Sequence, residues 1–541
     1  MFIDPHITLI GFNSPNDLNL NGIDFYKIDY NIFDIFSAIE KITNPGGYTV
    51  FWDFKIGLPN LDLIREAVHS RGDIWHGFFP DIKNKLPIAL NYIHPCWILN
   101  LTSNKDISFI SWRFDFRSTC LKNDVFIQLG NISKKFINPD YAAYEFGYRC
   151  ISSGVIPVYL PSLNVCRKNE SFLIGKICEH DELVFLRLHS TRKWINWFLF
   201  RTISTGKINL YKGVYSYFRT KYIKNIDKKV YTRNLTNELI NIEKYKISVI
   251  IITLGRYEYL KNVIQQLQNQ NIPIHEIIIV DANPEFEKVD ILLLINQSRH
   301  NIPVKIIHSK IIGQCTQRNI GIEACEGDYI LFMDDDMDEI PSDHIYRHLL
   351  NFSNLHVDVS CGVPDEVLAL PVSRKYPKVI SDVFPTNDSL VRKDILNKSG
   401  LFDVLMDRGQ SEDHELGIRI YLAGALMIKD STLRTLHLRA SSGGLRKFGN
   451  RKITYSSSRL NILHRRLPHV TELYLKYKHF QKNEVLELNL ISILGTFSII
   501  GNWRKKLLKV IVAFFLLPYT IFELSKRNYL ALKMIKNIRN N

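Results

Sequence analysis

The sequence predicts an α/β protein: a mainly parallel, Rossmann-like mixed sheet in its second half, preceded by a degraded copy of that half and followed by a helical tail. Three observations carry this. Strand-like and helix-like segments alternate after residue 246, six identities recur at one fixed offset across the two halves, and the charge is concentrated at one end. The chain has 541 residues and a formal charge of +15, too long for one ordinary hydrophobic core. Residues 441–541 alone sum to +15, so the preceding 440 are neutral overall. Hydrophobic residues at 46% and charged residues at 23% exclude wholesale disorder.

Residues 1–200 are expected to form the degraded domain. Their first stretch, MFIDPHITLIGF, lacks the basic start, apolar core and cleavage site of a signal peptide. The eight cysteines, at 96, 120, 150, 166, 178, 315, 325 and 361, form no C-x-x-C pair. That argues against a zinc ribbon or disulfide framework and fits reduced thiols in a cytosol. Residues 201–245 are expected to be a basic helical linker. Arg192–Arg233 holds eleven basic residues and one acid, interleaved with aromatics. It reads as a solvated connector, with a second surface facing anionic lipid as the alternative. No nucleic-acid recognition motif accompanies it, so no nucleic-acid partner is expected.

Residues 246–470 hold the clearest pattern. ISVIII (Ile247–Ile252) is a continuous β-branched run suited to a buried parallel strand. YLKNVIQQLQNQ follows as a helix, then EIIIVDAN, VKIIHS, the helix-like TQRNIGIEAC and the strand DYILFMDDD. Strands alternating with helices place ligands at the carboxyl ends of the strands. The repeat sets Asp124, Gly130, Glu145, Gly147, Arg149 and Gly154 on Asp394, Gly400, Glu415, Gly417, Arg419 and Gly424, each 270 residues later. A looser match sets YTVFWDFKIGLP on YILFMDDDMDEIP.

Three adjacent carboxylates, Asp334, Asp335 and Asp336, repel one another unless a cation neutralises them. Mg²⁺ or Mn²⁺ binds few protein carboxylates and completes its shell with phosphate oxygens; an exposed acidic turn is the bland alternative. Further on, SEDHELGIR (Ser411–Arg419) opens an amphipathic helix with Leu416, Ile420 and Leu422 toward the core. A carboxylate fixed there can take a proton from an alcohol, or Glu412 or Asp413 can simply cap the helix.

In order, ISVIIITLGR, EIIIVDAN, GQCTQRNIGIEACEGDYILFMDDD, NDSLVRKDILNKSGLFD, SEDHELGIR and a terminal His437 resemble the family 2 nucleotide-sugar glycosyltransferases, inverting enzymes of the GT-A fold. The likeness covers about Lys246–Lys452. It implies that Thr253 and Arg256 meet the nucleotide, that Asp281 reads the donor's base or ribose, and that Arg318 lies near the diphosphate. Asp334 and Asp336 match the ends of the D-x-D motif, with Asp335 between them on the donor side and Asp336 as direct ligand of Mn²⁺ or Mg²⁺. Asp413 matches the catalytic base and His437 a histidine that approaches the metal. Leu254 stands where the family carries a stacking aromatic, and Ala282 where it carries a second Asp. The segment after His437, RASSGGLRKFGNRK, suits a loop closing over a diphosphate, with Arg446 as its donor contact.

The resemblance thus implies transfer from a nucleoside-diphosphate sugar, of the UDP type, to a glycan or lipid-linked acceptor in cell-surface polysaccharide biosynthesis. A catalytically silent binding scaffold is the competing class; a nucleotidyltransferase fits poorly, because TLGRYEY offers one Gly where a glycine-rich loop is needed. At offset 270 the base pair falls on Ala142 and Ala143, and the looser match sets the three aspartates on Asp53, Phe54 and Lys55. The N-terminal copy is therefore expected to be inactive, serving to pack, to position acceptor or to assemble homo-oligomers. Residues 471–541 form the tail. Its apolar runs, Leu488–Trp503 and Val510–Phe522, fall short of the roughly 18 residues of a spanning helix. Flanked by basic residues, they fit a helix lying in an anionic leaflet, which places a cytoplasmic protein on the inner face of the membrane; a core-packed helix with a solvated edge is the alternative.

Overall fold

The structure is a computed structural model, and it describes residues 6–15, 23–77, 86–163, 177–233, 240–284, 302–367, 374–440, 444 and 461–540. The chain divides into two compact units. The first comprises Met1–Thr236 with Lys375–Ile380 and Gly424–Leu426; the second comprises Asn237–Arg374, Ser381–Ala423 and Met427–Asn541.

The first unit holds β1 (Ile7–Phe12), β2 (Asp24–Ile28), α1 (Ile32–Glu40), β3 (Tyr48–Asp53), α2 (Leu61–Val68), β4 (Ile74–His76), α3 (Ala89–Ile93), β5 (Phe109–Ile110), β6 (Ser118–Lys122), α4 (Asn123–Leu129), α5 (Pro139–Ser153), β7 (Pro157–Tyr159), α6 (Glu179–His189), α7 (Arg192–Ser204) and α8 (Leu210–Arg219). Its seven strands run β2-β1-β3-β6-β4-β7-β5. Phe12, Phe51, Trp75, Phe114 and Phe116 fill the core between sheet and helices.

The second unit begins β8 (Ile247–Thr253), α9 (Tyr257–Gln268), β9 (Glu276–Asp281), β10 (Val304–His308), α10 (Gln314–Ala324), β11 (Tyr329–Asp334), β12 (Met337–Asp338), α11 (His344–Leu355), β13 (Val359–Cys361) and β14 (Asp365–Glu366). After β15 (Lys378–Ile380, grouped with the first unit) come β16 (Asp388–Arg392), α12 (Lys393–Ser399), α13 (Glu412–Leu422), β17 (Met427–Asp430), β18 (Leu436–His437), α14 (Val470–His479), α15 (Lys482–Gly495), α16 (Trp503–Phe515) and α17 (Leu517–Asn540). All six residues of β9 are buried, as a strand covered by helices on both faces requires.

Strand pairing shows what the repeat preserves. In the second sheet the order β9-β8-β11-β16-β13-β17 reproduces β2-β1-β3-β6-β4-β7. Directions match at every step: β1 is parallel to β2 and β3 as β8 is to β9 and β11. The antiparallel partners of β6, β3 and β4, correspond to β11 and β13 around β16. The fold of the second unit is GT-A, and the first is a degenerate version of it.

The retained identities are scaffold. Arg149 donates to the carbonyls of Leu129, the last residue of α4, and Asn131 just beyond it, and pairs with Glu145 at 3.2 Å. Arg419 does the same to Ser399, the last residue of α12, and Leu401 just beyond it, and pairs with Glu415 at 2.7 Å. Each glutamate also meets a histidine from the next helix of its unit: Glu145 with His189 at 2.9 Å, Glu415 with His479 at 3.1 Å. Burial alone would raise both carboxyls; the arginine and histidine partners outweigh it and hold both low. α14 thus stands to α13 as α6 stands to α5.

In the tail, Lys509 of α16 is buried and its Nζ donates to the carbonyls of Ile462 and His464 at 2.8 and 2.7 Å. No single helix among the described residues is long and apolar enough to cross a membrane. Trp503–Phe515 and Leu517–Asn537 meet that length and composition only as a pair, bent by 62°. Pro518 falls in the first turn of α17, where its missing N–H costs no intrahelical bond.

Candidate active site

The carboxyl ends of β8 and β11 open on a pocket of about 460 Å³, closed on its far side by the start of α13. Eight of the site residues expected from sequence line it directly: Thr253, Arg256, Arg318, Asp334, Asp335, Asp336, Asp413 and His437.

Asp334 ends β11, and the chain turns through Asp335 and Asp336 into β12. That short strand pairs antiparallel with β18, setting Met337 opposite His437. This pairing brings His437, a hundred residues away, to Asp336: Nε2 lies 3.2 Å from Oδ1. The other oxygen of Asp336 accepts the Ala440 N–H at 2.8 Å and lies 3.2 Å from Arg256 Nη1. Burial would raise the Asp336 carboxyl, but His437 and Arg256 outweigh it and bring it to about 2. The same proximity raises His437 against the opposing effect of burial.

Asp335 points the other way. It accepts from Thr253 Oγ1 at 2.7 Å and from Arg256 Nη1 at 3.0 Å. Burial, reinforced by the Asp336 charge, pushes it up to about 7 in spite of those donors. Asp335 is therefore a strut that ties β11 to the end of β8. Asp334 is the most open of the three, its side chain 27% exposed, with Arg318 Nη2 at 3.6 Å.

Donor atoms of Asp334, Asp336 and His437 all lie within 4.8 Å of one another. Two carboxylate oxygens and an imidazole nitrogen, one carboxylate open to the pocket, are a donor set that Mn²⁺ or Mg²⁺ accepts while retaining positions for phosphate oxygens. The residues fit the ion.

Across the pocket, Glu412 and Asp413 occupy the first two positions of α13. The residue capping that helix is Ser411, held at φ 69° without a side-chain cap bond, so neither carboxylate is the cap. They face different partners. Glu412 accepts Arg318 Nη1 at 3.0 Å, and Asp413 Oδ1 accepts the backbone N–H of His414 at 2.8 Å and meets its Nδ1 at 3.0 Å. Arg318 therefore spans Glu412 and Asp334, linking the two carboxylate groups of the site. Burial and the Asp413 charge raise Glu412 against that arginine.

Asp281 is buried at the end of β9 and does not line the pocket. It accepts the Tyr257 hydroxyl at 2.7 Å and the Asn283 N–H at 2.9 Å. Arg446 lies outside the described residues, as does most of the loop proposed to close over a diphosphate; Gly444 is described, and its N–H donates to Leu254 O at 3.1 Å.

Several contributors escaped the sequence reading. Gln317 Nε2 donates to Thr253 O and Val280 O, tying the ends of β8 and β9 together. Asp407 accepts from the N–H groups of Cys315 and Thr316, satisfying the start of α10 from a distant loop. Glu366, on β14, lies 4.0 Å from His437 Nδ1 and pairs with Arg439. None of these residues sits in a local sequence pattern that marks its role.

Residues 248–402 match a family model described as glycosyl transferase family 2. No curated protein matches the chain. Among solved structures, residues 1–349 of S. aureus TarS align at 16% identity over 54% of this chain and 91% of that one, with a TM-score of 0.34. The mannosyltransferase PcManGT from Pyrobaculum calidifontis, in complex with GDP-Man and Mn²⁺, aligns at 11% over 55% and 88%, with a TM-score of 0.34. GalNAc-T7 with UDP, GalNAc and Mn²⁺ aligns at 14% over 41% and 49%, with a TM-score of 0.31.

Proposed function

With a family 2 glycosyltransferase domain at residues 248–402 as the premise, we propose that this glycosyltransferase moves a sugar, with inversion, from a UDP-type donor to a hydroxyl of a glycan or lipid-linked acceptor in cell-surface polysaccharide assembly. One observation carries the reading: Asp334, Asp336 and His437 face Asp413 across a single pocket. The bound divalent ion would supply charge neutralisation for the diphosphate. The protein's own groups do the rest. Asp413 takes the proton of the acceptor hydroxyl, and the oxygen so freed attacks the anomeric carbon as the bond to the nucleoside diphosphate breaks. Arg256 and Arg318 oppose the negative charge left on the departing group. Thr253 and Asp335 hold Arg256 in place, while Asp281, fixed by Tyr257, supports the nucleotide end.

The test is a screen of nucleotide sugars with Mn²⁺ and Mg²⁺, followed by Asp413→Asn. Metal-dependent release of a nucleoside diphosphate, lost in the variant with donor affinity retained, supports the assignment. A silent binding scaffold predicts donor binding without any release.

Support for an inactive first unit lies in what replaces the chemistry. Ala142 and Ala143 are fully buried in α5. Asp53 Oδ1 accepts from Asn13 Nδ2 at 2.9 Å and from the Lys55 N–H at 3.0 Å, so it caps a turn. We assign this unit to packing, acceptor positioning or self-association.

A place on an anionic, cytoplasmic membrane face draws support from surfaces in each unit. On α16 and α17, Trp503, Phe514, Phe515 and Phe522 are 66–77% exposed, next to Arg504 and Lys506. On α8, Leu210, Tyr211, Tyr215 and Phe218 are exposed, next to Lys212 and Arg219. Apolar residues beside cations on a helix surface favour the interface of an anionic leaflet. Flotation with phosphatidylglycerol vesicles, abolished by Phe514→Ser/Phe515→Ser, is the expected result; equal flotation of the variant would remove the anchor.

A further inference from the structure

We infer that His344, His348 and Asp388 form a second cation site in the second unit, a buried three-ligand site for zinc or a similar first-row transition metal. It shares no residue with the donor pocket. Nothing in the proposed transfer chemistry uses it.

Its geometry comes from two elements. His344 and His348 are one helical turn apart on α11, which puts both imidazoles on one face. Asp388 opens β16. His344 Nε2 lies 2.9 Å and His348 Nε2 3.1 Å from the same oxygen, Asp388 Oδ1, and the two nitrogens are 3.3 Å apart. In a tetrahedral zinc site, bonds of about 2.0–2.1 Å place neighbouring donor atoms about 3.3 Å apart. The triangle, with sides of 2.9, 3.1 and 3.3 Å, comes within a few tenths of an ångström of that spacing. With hydrogen bonds alone, both imidazoles would have to aim a proton at one carboxylate oxygen while their own nitrogens nearly touch.

All three side chains are 0–1% exposed. A buried carboxylate needs a compensating positive charge, and the ion-pair partners of Asp388 among the described residues are these two imidazoles. Around His348, though not around His344, whose buried Nδ1 has no hydrogen-bond partner, the surroundings also resemble the outer layer of a metal site, in which a ligating histidine's second nitrogen is held by a polar group. His348 Nδ1 lies 2.9 Å from Ser360 Oγ, and Asn351 Nδ2, itself bonded to Asp430, donates to the same hydroxyl at 2.9 Å. Gly362 leaves room for Asp388: a Cβ there would lie 1.9 Å from Oδ2. Two imidazoles against one carboxylate, the reverse of the ratio at Asp334, Asp336 and His437, favour zinc or a comparable ion over Mg²⁺.

The test is elemental analysis of the full-length protein, purified without an immobilised-metal step and passed through mild chelation to clear the donor pocket. The expected result is about one zinc-class ion per chain, held by three ligands that are 0–1% exposed. Asp336→Asn should leave that content unchanged, whereas His348→Gln and Asp388→Asn should lower it at least tenfold. Should those variants not fold, cobalt substitution of the wild-type chain decides: visible absorption of the tetrahedral type, with nitrogen ligands by X-ray absorption, supports the site. Absence of any bound transition metal in wild-type protein, with no uptake of zinc or cobalt, overturns it and leaves a hydrogen-bonded cluster only. Metal lost in Asp336→Asn but retained in His348→Gln overturns it equally.

Discussion

Replacing Arg419 by Ala removes four interactions at once, and the duplication supplies an internal control. Its guanidinium donates to Ser399 O at 2.6 Å and Leu401 O at 2.7 Å, and forms a two-pronged contact with Glu415. Glu415 is fully buried. Breaking a buried pair by deleting one partner costs about 3–5 kcal/mol, because the remaining charge is left uncompensated. Lys478 at 2.9 Å and His479 at 3.1 Å remain on Glu415, which argues for the lower end, about 3 kcal/mol. In a unit of this size that corresponds to a fall in Tm of roughly 6–12 °C. Arg149→Ala removes the matching contacts to Leu129, Asn131 and Glu145, where His189 is the remaining partner. It should cost at least as much. Scanning calorimetry of the full chain reads both, and donor release by the folded Arg149→Ala protein should match wild type. A fall below about 2 °C in both variants would refute the claim that the six shared identities are scaffold.

Other outcomes follow from the site. Asp335 has a folded pKa raised to about 7, above the ordinary carboxylate value of roughly 4. The folded state therefore holds its proton longer, and this group's contribution to stability is lost as pH rises through the window from about 4 to 7. In metal-free protein, urea denaturation across that range should show the decline, and Asp335→Asn should flatten it; Thr253 can then accept from the new amide. Gly313→Ala would set a Cβ 2.2 Å from Asp407 Cγ, displacing the carboxylate that caps α10, at a cost of about 1–3 kcal/mol; unchanged thermal stability would contradict that role. Metal affinity should fall as pH is lowered, since a proton on His437, favoured by Asp336 and Asp334, competes with the ion; titration calorimetry with Mn²⁺ at two pH values reads the difference.

How much of this was legible in the sequence depends on what kind of signal each part leaves. β8, β9 and β11 are read directly, because buried parallel strands are continuous apolar β-branched runs. The repeat was visible where spacing is constant, from β6 and β16 onward through the following helices. His189 and His479, however, lie 290 residues apart, so the same contact to Glu145 and Glu415 falls out of an ungapped register. The three aspartates are adjacent in sequence and share Arg256 or the pocket, yet they take different further partners, since a chain turning out of β11 sends Asp335 to Thr253 and Asp336 to His437. No local pattern encodes that split. Gln317, Tyr257 and Asp407 act through contacts spanning 24 to 92 residues, and polar residues of such common types carry no mark of it. The histidines of α11 were invisible for a related reason, as their partner Asp388 arrives from a strand 40 residues on.

The central claim is tested most directly by nucleoside-diphosphate release from nucleotide sugars in the presence of Mn²⁺, compared across wild type, Asp336→Asn and Asp413→Asn. Wild type should release nucleoside diphosphate in a manner that disappears on chelation, Asp336→Asn should lose both donor binding and release, and Asp413→Asn should bind donor without transfer. Release that persists in Asp413→Asn, or that ignores chelation, would contradict it.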